Sequence, residues 1–416
     1  MSKMNGVHTE PFSYEPPGRY HLFVPGPVNI HERVQKAMSI YGGHNHRDPW
    51  FAPFFKGLLE DTKWFFQSTA GHPFIFPGTG TGGWEAALTN TLSPGDKVLT
   101  WEFGMFSHLW IDMMERLGLD VEKIPCRWGD GAYEDKMEEA LMKDTAKSIK
   151  AVCVVHNETA TGVTSDLARI RATLDKCGHP ALLFVDGVSS IGAVPFKFDE
   201  WKIDIAVTGS QKALSIPTGL ACLCVSEKAK ACMETAKLTR VYFDFRDMIK
   251  TNAAGGVPYT PSLPLMYGMK ESIAMLKEEG IENVWARHER LAEATRLAVA
   301  AWGLRPLCHE KRWLSNALTV VECPEGKDSN AIVKAAYAKH NLSIGLGLGP
   351  LNGKAFRIGH LGNMDEIMLL GGLAGVELSL MDVGVPIKPG SGVGAAIEFL
   401  QKSGKVIKSR ESVIQQ

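Results

Sequence analysis

Residues 206–219, AVTGSQKALSIPTG, place a lysine directly after a short apolar run. The run stops at Gly209-Ser210, and the turn-forming residues 217–219 follow the lysine. This pattern predicts a buried strand that presents Lys212 to a cleft, because ligands of open α/β sheets bind outside the carboxyl ends of the strands. A solvated surface charge is the commoner fate of a lysine, and this stretch alone leaves that alternative open.

A second apolar run lies upstream and ends in an acid. Residues 181–185, ALLFV, are typical of a fully buried parallel strand, which delivers Asp186 at its end. We expect Asp186 and Lys212 to face one cleft, since parallel strands end at the same edge of a sheet. Pyridoxal 5′-phosphate (PLP) suits this pair, because its ring nitrogen needs a carboxylate and its aldehyde needs a lysine. Lys212 is then also placed to carry the α proton of a substrate.

A turn rich in glycine and threonine precedes a predicted helix over 84–91. In residues 76–96, FPGTGTGGWEAALTNTLSPGD, free backbone N–H groups and the positive end of a helix dipole surround a phosphate-sized space. Glycine keeps the approach open, and Thr79 and Thr81 can add hydroxyl donors. Many such turns are only turns. Together with the acid and the amine, this one indicates a site for the cofactor phosphate.

Two motifs, VDGVSSIGA at 185–193 and VTGSQKALSIPTGL at 207–220, resemble those of class V aminotransferases of PLP fold type I. Within that class the chain is most similar to serine–glyoxylate and alanine–glyoxylate aminotransferases, from about Phe23 to about Met381. The resemblance implies an α/β fold with a large domain, whose mainly parallel seven-stranded sheet lies between helices, and a smaller α+β C-terminal domain. The alternation of strands with helical stretches independently favours a mainly parallel sheet.

The predicted organisation has four parts. They are an N-terminal arm (1–22), a large PLP-binding domain (23–284), a small C-terminal domain (285–405) and a tail (406–416). A long charged helical pattern over 272–302 is expected to bridge the two domains.

The resemblance assigns ten residues to the cofactor: Thr79, Gly80, Thr81, Phe106, Thr159, Asp186, Val188, Gln211, Lys212 and Thr260. Phe106 would stack on the pyridine ring, although an aromatic residue at a helix start more often belongs to a core. In the motif HNETATG at 156–162, Thr159 would contact the phenolic oxygen, while His156 is more typical of a structural histidine than of a base. Thr260 would cross a dimer interface to the other subunit's phosphate.

Two loops are predicted to meet the substrate. Gly26 lies in the turn Pro25-Gly26-Pro27, which either presents backbone amides to a ligand or makes a rigid entry to the first helix. Arg47 lies in YGGHNHRDP at 41–49. By default this is an exposed polar loop, but it resembles an element that reaches the neighbouring active site in serine–glyoxylate enzymes. The resemblance therefore implies a homodimer with shared active sites.

Arg357 lies in a strand-like run, KAFRIGHLG at 354–362. Its charge needs an anionic partner because burial of an unpaired charge is costly. That partner is either an acid in an interdomain salt bridge or, as the resemblance implies, the α-carboxylate shared by the amino acid and keto acid substrates.

The resemblance implies ping-pong transamination through a Schiff base on Lys212. Glyoxylate becomes glycine, and L-serine as donor becomes hydroxypyruvate. Alanine is the alternative donor. A cysteine desulfurase is a further alternative, but Cys308 and Cys323 of the small domain lack the Gly/Ser-rich surroundings of a mobile nucleophile. A non-catalytic relative would be expected to lack Lys212 or Asp186.

The overall composition excludes several other classes of protein. With 416 residues, 22% charged residues and a net charge of −1, the chain gives no basis for binding nucleic acid or an anionic membrane. Eight scattered cysteines form no CxxC pair, so no metal is expected. No membrane span or signal peptide is recognisable, and residues 413–416, VIQQ, are not a peroxisomal tripeptide. We therefore expect an intracellular soluble protein whose compartment stays open.

Overall fold

The structure, a computed structural model, describes residues 18–40 and 44–404. The predicted tail, most of the predicted arm and Tyr41-Gly42-Gly43 lie outside these residues. The strands are β1 (His21–Phe23), β2 (His72–Pro77), β3 (Lys97–Glu102), β4 (Asp120–Pro125), β5 (Ile149–Val155), β6 (Asn157–Glu158), β7 (Val163–Thr164), β8 (Leu182–Asp186), β9 (Ile205–Gly209), β10 (Leu220–Val225), β11 (Leu318–Glu322), β12 (Leu342–Leu346) and β13 (Ala355–Gly359).

The α-helices of the same residues alternate with these strands over the first half of the chain. They are α1 (Glu32–Ser39), α2 (Phe51–Phe65), α3 (Gly80–Thr91), α4 (Met105–Arg116), α5 (Glu134–Lys143), α6 (Leu167–Lys176), α7 (Glu227–Cys232), α8 (Phe245–Ala253), α9 (Leu263–Glu279), α10 (Ile281–Ala301), α11 (Ser329–His340), α12 (Glu366–Asp382) and α13 (Ser391–Lys402). Within the described ranges, no helix is both long and apolar enough to cross a membrane.

The large sheet has seven strands in the order β2-β10-β9-β8-β5-β3-β4. Strands β4, β3, β5, β8 and β9 run parallel, and β10 runs antiparallel to both of its neighbours. Every residue of β8 and β9 is buried. Strands that are covered on both faces have continuous apolar sequences, which explains the apolar runs before Asp186 and Lys212. The predicted mainly parallel seven-stranded sheet is confirmed.

Three neighbouring strands end at one edge of this sheet. Asp186 closes β8 and pairs in register with Val207 of β9 and Val155 of β5. The chain continues from β9 to Lys212 and from β5 to the segment 156–162. This edge therefore gathers the acid, the amine and the HNETATG motif.

A second sheet, of order β1-β12-β13-β11, lies in the C-terminal part of the fold. Strand β1 runs parallel to β12, and the other pairs are antiparallel. Helices α10 to α13 pack with it around a separate hydrophobic cluster that includes Phe23, Trp302 and Phe356. The start of the described chain is thus tied to the C-terminal sheet. The domain boundaries proposed from the sequence stay predictions.

Two helix bounds predicted from the sequence were wrong. The pattern over 272–302 is two helices, α9 and α10, because Gly280 adopts a φ of +87° and interrupts the helical backbone. The helix after the glycine-rich turn begins at Gly80 and not at Trp84. The earlier start places Gly80, Gly82 and Gly83 in the first turn of the helix.

Candidate active site

The Lys212 side chain is buried against the turn Pro25-Gly26-Pro27. It is 8% exposed, and its Nζ donates to the carbonyl oxygen of Pro25 at 2.5 Å. A Cβ at Gly26 would lie 2.6–2.8 Å from Cδ, Cε and Nζ of Lys212, so this approach requires glycine. The structure therefore brings Gly26 beside the amine.

The electrostatic surroundings favour a neutral amine at Lys212. Burial and the positive charge of Arg357 lower the pKa of Lys212 from an ordinary 10.5 to about 8, against the opposing effect of Asp186. An amine with that pKa has a substantial neutral fraction near neutral pH. It is suited to act as a nucleophile and as a base.

Asp186 lies in the same cleft with its carboxylate in an apolar setting. It is 4% exposed, and its Oδ1 accepts a hydrogen bond from the Val188 backbone N–H at 2.9 Å. Burial raises the pKa of Asp186 to about 7, and the nearby charge of Glu158 acts in the same direction. A cationic N–H group brought to this carboxylate would favour its ionised form.

The first turn of α3 is open to an anion. Thr79 is the N-cap residue, and its side chain forms no capping hydrogen bond. The first amides of a helix have no acceptor within the helix, and the dipole is positive at this end. A Cβ at Gly80 would meet Val188 Cγ2 at 2.5 Å, which joins this turn to the Asp186 loop. Thr79 and Thr81 are both exposed beside it.

Arg357 lies on β13 and reaches toward the large sheet. Its Nε donates to Leu346 O at 2.7 Å, and its Nη1 donates to Thr159 O at 3.3 Å. In residues 18–40 and 44–404 no carboxylate forms a salt bridge with it, so the interdomain salt bridge considered above is absent there. Burial lowers the pKa of Arg357 to about 10, and Glu158 opposes this effect. The guanidinium retains N–H groups for an anionic ligand.

Thr159 and Gln211 flank the same space. Thr159 Oγ1 donates to Ser189 Oγ at 2.8 Å, and Ser189 Oγ donates to Asn157 O at 2.8 Å. The Thr159 hydroxyl can still accept a hydrogen bond. The Oε1 atom of Gln211 is buried without a partner among the described residues. His156 is buried among aromatic rings, and burial lowers its pKa to about 3, so it is neutral.

Arg47 and Thr260 are not brought to this cleft within one chain. Both are exposed on loops. The loop of Arg47 is held at its start by a hydrogen bond of 2.6 Å between His44 Nδ1 and the Tyr267 hydroxyl. Their predicted roles in a neighbouring subunit's site stay predictions.

The sequence prediction missed Glu158 and Ser189. Both lie inside motifs that were recognised, HNETATG and VDGVSSIGA, but neither was given a role. Glu158 is fully buried and accepts backbone N–H groups from the start of α4. For Glu158, the available signal was a charged residue three positions after the end of the apolar strand β5.

Comparison with known proteins decides the family. Residues 55–325 match the family model of the class-V aminotransferases. Over 392 residues the chain is 55% identical to the serine–glyoxylate aminotransferase of Methylorubrum extorquens, covering 93% of this chain and 97% of that one. The chain belongs to the class-V aminotransferases. These enzymes use PLP.

Other relatives extend the likeness along the chain of this class-V aminotransferase. It is 52% identical to the serine–glyoxylate aminotransferase of Arabidopsis thaliana, covering 95% of this chain and 98% of that one. The crystal structure of ureidoglycine–glyoxylate aminotransferase from Bacillus subtilis matches with a TM-score of 0.86 at 29% identity. That match covers 94% of this chain and all of the other. The predicted class V membership and type I fold are confirmed.

The described residues of this class-V aminotransferase fit PLP. The uncapped start of α3 offers amides to a phosphate, and Asp186 offers a carboxylate to the ring nitrogen. Lys212 offers an amine of lowered pKa to the aldehyde, and Gln211 has an unused acceptor. The residue-by-residue assignments to the cofactor stay predictions.

We expect the apoprotein of this class-V aminotransferase to take up PLP faster as the pH rises, with a midpoint near 8. Only the neutral amine of Lys212 attacks an aldehyde, and its lowered pKa puts that form within reach of neutral pH. Stopped-flow absorbance across a pH series measures the uptake rate. A small amine reacting with PLP under the same conditions corrects for the titration of PLP itself.

The Arg357→Met variant is the informative comparison for that profile. Because the charge of Arg357 lowers the pKa of Lys212, its removal should shift the midpoint upward. A corrected wild-type midpoint near the ordinary 10.5 of lysine would contradict the buried-amine interpretation.

Proposed function

We propose that this class-V aminotransferase transfers the amino group of L-serine to glyoxylate, giving hydroxypyruvate and glycine. The observation that carries the choice of donor is the identity of 55% and 52%, over more than nine tenths of the chain, with two enzymes named serine–glyoxylate aminotransferase. The arrangement of Lys212, Asp186 and Arg357 around one cleft supports the reaction type.

Lys212 acts twice in the proposed reaction. Bound PLP supplies an aldehyde that takes up the amino group and a ring that withdraws electrons from the substrate's α carbon. The neutral Nζ of Lys212 would hold the aldehyde before the substrate arrives. With the substrate in place, the freed Nζ would accept the α proton and then release it again. Its lowered pKa suits both tasks, because the amine must accept the proton and then release it.

Asp186 and the start of α3 hold the two ends of the cofactor in this proposal. Asp186 would accept a hydrogen bond from the ring nitrogen, whose positive charge would keep the carboxylate ionised although burial raises its pKa to about 7. The amides of the first turn of α3 would bind the phosphate, since the Thr79 side chain caps none of them. Residues at both ends would thus hold the cofactor beside Lys212.

Arg357 binds the α-carboxylate of each substrate in turn. Its two hydrogen bonds go to backbone carbonyls, which orient the guanidinium without neutralising it. The same residue serves both half-reactions because serine, hydroxypyruvate, glyoxylate and glycine share that carboxylate. Serine enters and hydroxypyruvate leaves before glyoxylate enters, so the kinetics are ping-pong.

The proposed working unit is a homodimer whose subunits complete each other's sites. Arg47 and Thr260 are exposed, and neither hydrogen-bonds to the cleft residues within the described chain. On this proposal Arg47 reaches the serine hydroxyl, and Thr260 reaches the cofactor phosphate, in the other subunit. A monomeric protein with full activity would contradict it.

The chemistry of the thiols does not favour a cysteine desulfurase. All eight cysteines lie in described residues, and burial raises the pKa of each one. In the small domain, burial raises the pKa of Cys308 to about 11 and also raises that of Cys323, and both thiols donate to backbone carbonyls. A desulfurase needs a thiolate at neutral pH, which these surroundings disfavour.

Titration of the holoenzyme tests the proposed donor. We expect L-serine to bleach the visible absorbance of the bound cofactor at much lower concentration than L-alanine, and glyoxylate to restore it. If L-alanine acts at lower concentration, the proposed donor is wrong but the transamination stands. If the protein shows no visible band after addition of PLP, the assignment of Lys212 itself fails.

A further inference from the structure

Glu158 links the strand edge of the site to the first turn of α4. It belongs to the short strand β6 and is fully buried. Its Oε2 accepts the backbone N–H of Phe106 at 3.1 Å and of Ser107 at 2.9 Å, and its Oε1 accepts the N–H of Ala160 at 3.0 Å. One side chain thus joins the HNETATG segment to the helix that carries Phe106.

The chemistry of this contact calls for a carboxylate. Both oxygens of Glu158 accept hydrogen bonds from backbone N–H groups. In a glutamine, the NH₂ group would replace one of these oxygens and would face an N–H group that it cannot accept from. The positive end of the α4 dipole also attracts a negatively charged side chain, and glutamine carries no such charge. Gly104 makes room for the carboxylate, since a Cβ there would clash with the Glu158 side chain.

The first turn of α4 has one other side-chain tie to the sheet, between His108 Nδ1 and Glu102 Oε1 of β3 at 2.8 Å, but among the described residues only Glu158 accepts the Phe106 N–H. Ser107 Oγ accepts the N–H groups of Phe103 and Gly104, which closes the turn locally but does not join it to the site. Phe106 itself is only partly buried against the large hydrophobic cluster. The core thus packs against only part of this side chain, while Glu158 holds the Phe106 backbone through its N–H.

We infer that Glu158 is a positioning residue, which holds the first turn of α4 so that the ring of Phe106 lies against the cofactor. The inference rests on the proposed function, because the ring of Phe106 can contact a cofactor only if PLP binds in the cleft of Lys212 and Asp186. It extends that function to a residue that does not touch the cofactor. The alternative is that Glu158 serves folding alone.

A matched pair of variants separates the two alternatives. Glu377 of α12 is also a buried carboxylate that holds the start of another helix. It accepts the N–H of Gly392 at 3.1 Å and of Val393 at 3.3 Å in the first turn of α13. It also accepts from Trp302 Nε1 at 2.9 Å, within the small hydrophobic cluster. Glu158→Gln and Glu377→Gln therefore make the same chemical change at the start of two different helices.

Each variant is purified as the apoprotein, and its dissociation constant for PLP and its melting temperature are measured. The circular dichroism of the bound cofactor in the visible range is then measured after addition of PLP. We expect Glu158→Gln to weaken PLP binding roughly 10-fold or more, as loss of about 1.4 kcal/mol would, and to alter the visible dichroism. Glu377→Gln should lower the melting temperature and leave both cofactor readouts at the wild-type level. Wild-type affinity and dichroism in folded Glu158→Gln would overturn the inference.

A double-mutant cycle with Phe106→Leu tests whether Glu158 affects PLP binding through the ring of Phe106. If Glu158 acts on Phe106, Glu158→Gln should weaken PLP binding much less in the Phe106→Leu background than in the wild type. Equal losses in both backgrounds would overturn the inference. If Glu158→Gln does not fold, Gly104→Ala takes its place, because the added Cβ displaces the carboxylate without removing it. We expect Gly104→Ala to weaken PLP binding and to alter the visible dichroism in the same way. Wild-type affinity and dichroism in Gly104→Ala would overturn the inference. A wild-type protein that binds no PLP would instead refute the proposed function.

Discussion

Replacing Lys212 with alanine is expected to lower turnover by at least about a thousandfold, because the same amine is both nucleophile and proton carrier in the proposed reaction. The assay is steady-state formation of hydroxypyruvate from L-serine and glyoxylate. The variant should remain folded and should bind PLP without the visible band that a lysine-bound cofactor gives. Robust transamination by this variant would refute the proposed mechanism.

Lys212→Met is the control for packing, because it keeps most of the side-chain volume and removes the amine. The pKa of Lys212 is lowered in the folded protein, so its protonated form is disfavoured there. This lowers the free energy of unfolding by about 3 kcal/mol at most. The loss of stability is complete below a pH of about 8 and disappears as the pH rises to about 10.5. The Lys212→Met apoprotein should therefore melt at a higher temperature than the wild-type apoprotein at pH 7, and the advantage should vanish at high pH.

Mixing two variants extends the same experiment to the shared sites. In a dimer of one Lys212→Ala subunit and one Arg47→Ala subunit, one site lacks both side chains and the other retains both. When the two proteins are unfolded and refolded together, the activity with L-serine should therefore exceed that of either variant alone. If the activity does not rise although mixed dimers form, Arg47 does not act across the interface.

The core of the site was predictable because its determinants are local in sequence. Strands β8 and β9 are buried on both faces, so each is a continuous apolar run with a polar residue at its end. The end of such a strand is the place where an α/β sheet binds ligands. Asp186 and Lys212 could therefore be paired from their positions after two apolar runs.

Other features depend on contacts that no local pattern records. The break at Gly280 was missed because a single glycine is tolerated inside helical patterns, and only its φ of +87° ends the helix. Glu158 was missed because its partners, the amides of α4, lie about fifty residues away in sequence. The salt-bridge alternative for Arg357 depended on which acids fold near it: Glu158 is close enough to affect its pKa, but no acid of the described residues forms a salt bridge with it.

Arg357→Ala is expected to raise the Michaelis constants for both L-serine and glyoxylate. Removing one partner of a desolvated charge pair costs about 2–5 kcal/mol, which corresponds to a loss of roughly 30-fold to several thousandfold in kcat/KM. Arg357→Lys keeps the charge but loses the two-pronged geometry, so it should recover only part of that loss. Steady-state kinetics with each substrate varied in turn provide the measurement.

The stability of Arg357→Ala distinguishes a substrate-binding role from a structural one. Arg290 is the control, since it is a buried arginine that pairs with Glu366 at 2.8 Å. Arg290→Ala breaks an ion pair and should lower the melting temperature while leaving both Michaelis constants near their wild-type values. Arg357 has no such partner among the described residues, so its removal should cost little stability and much substrate affinity. An unchanged Michaelis constant for glyoxylate, with a lowered melting temperature, would assign Arg357 to the fold, because a carboxylate clamp cannot be removed without weakening the binding of the carboxylate.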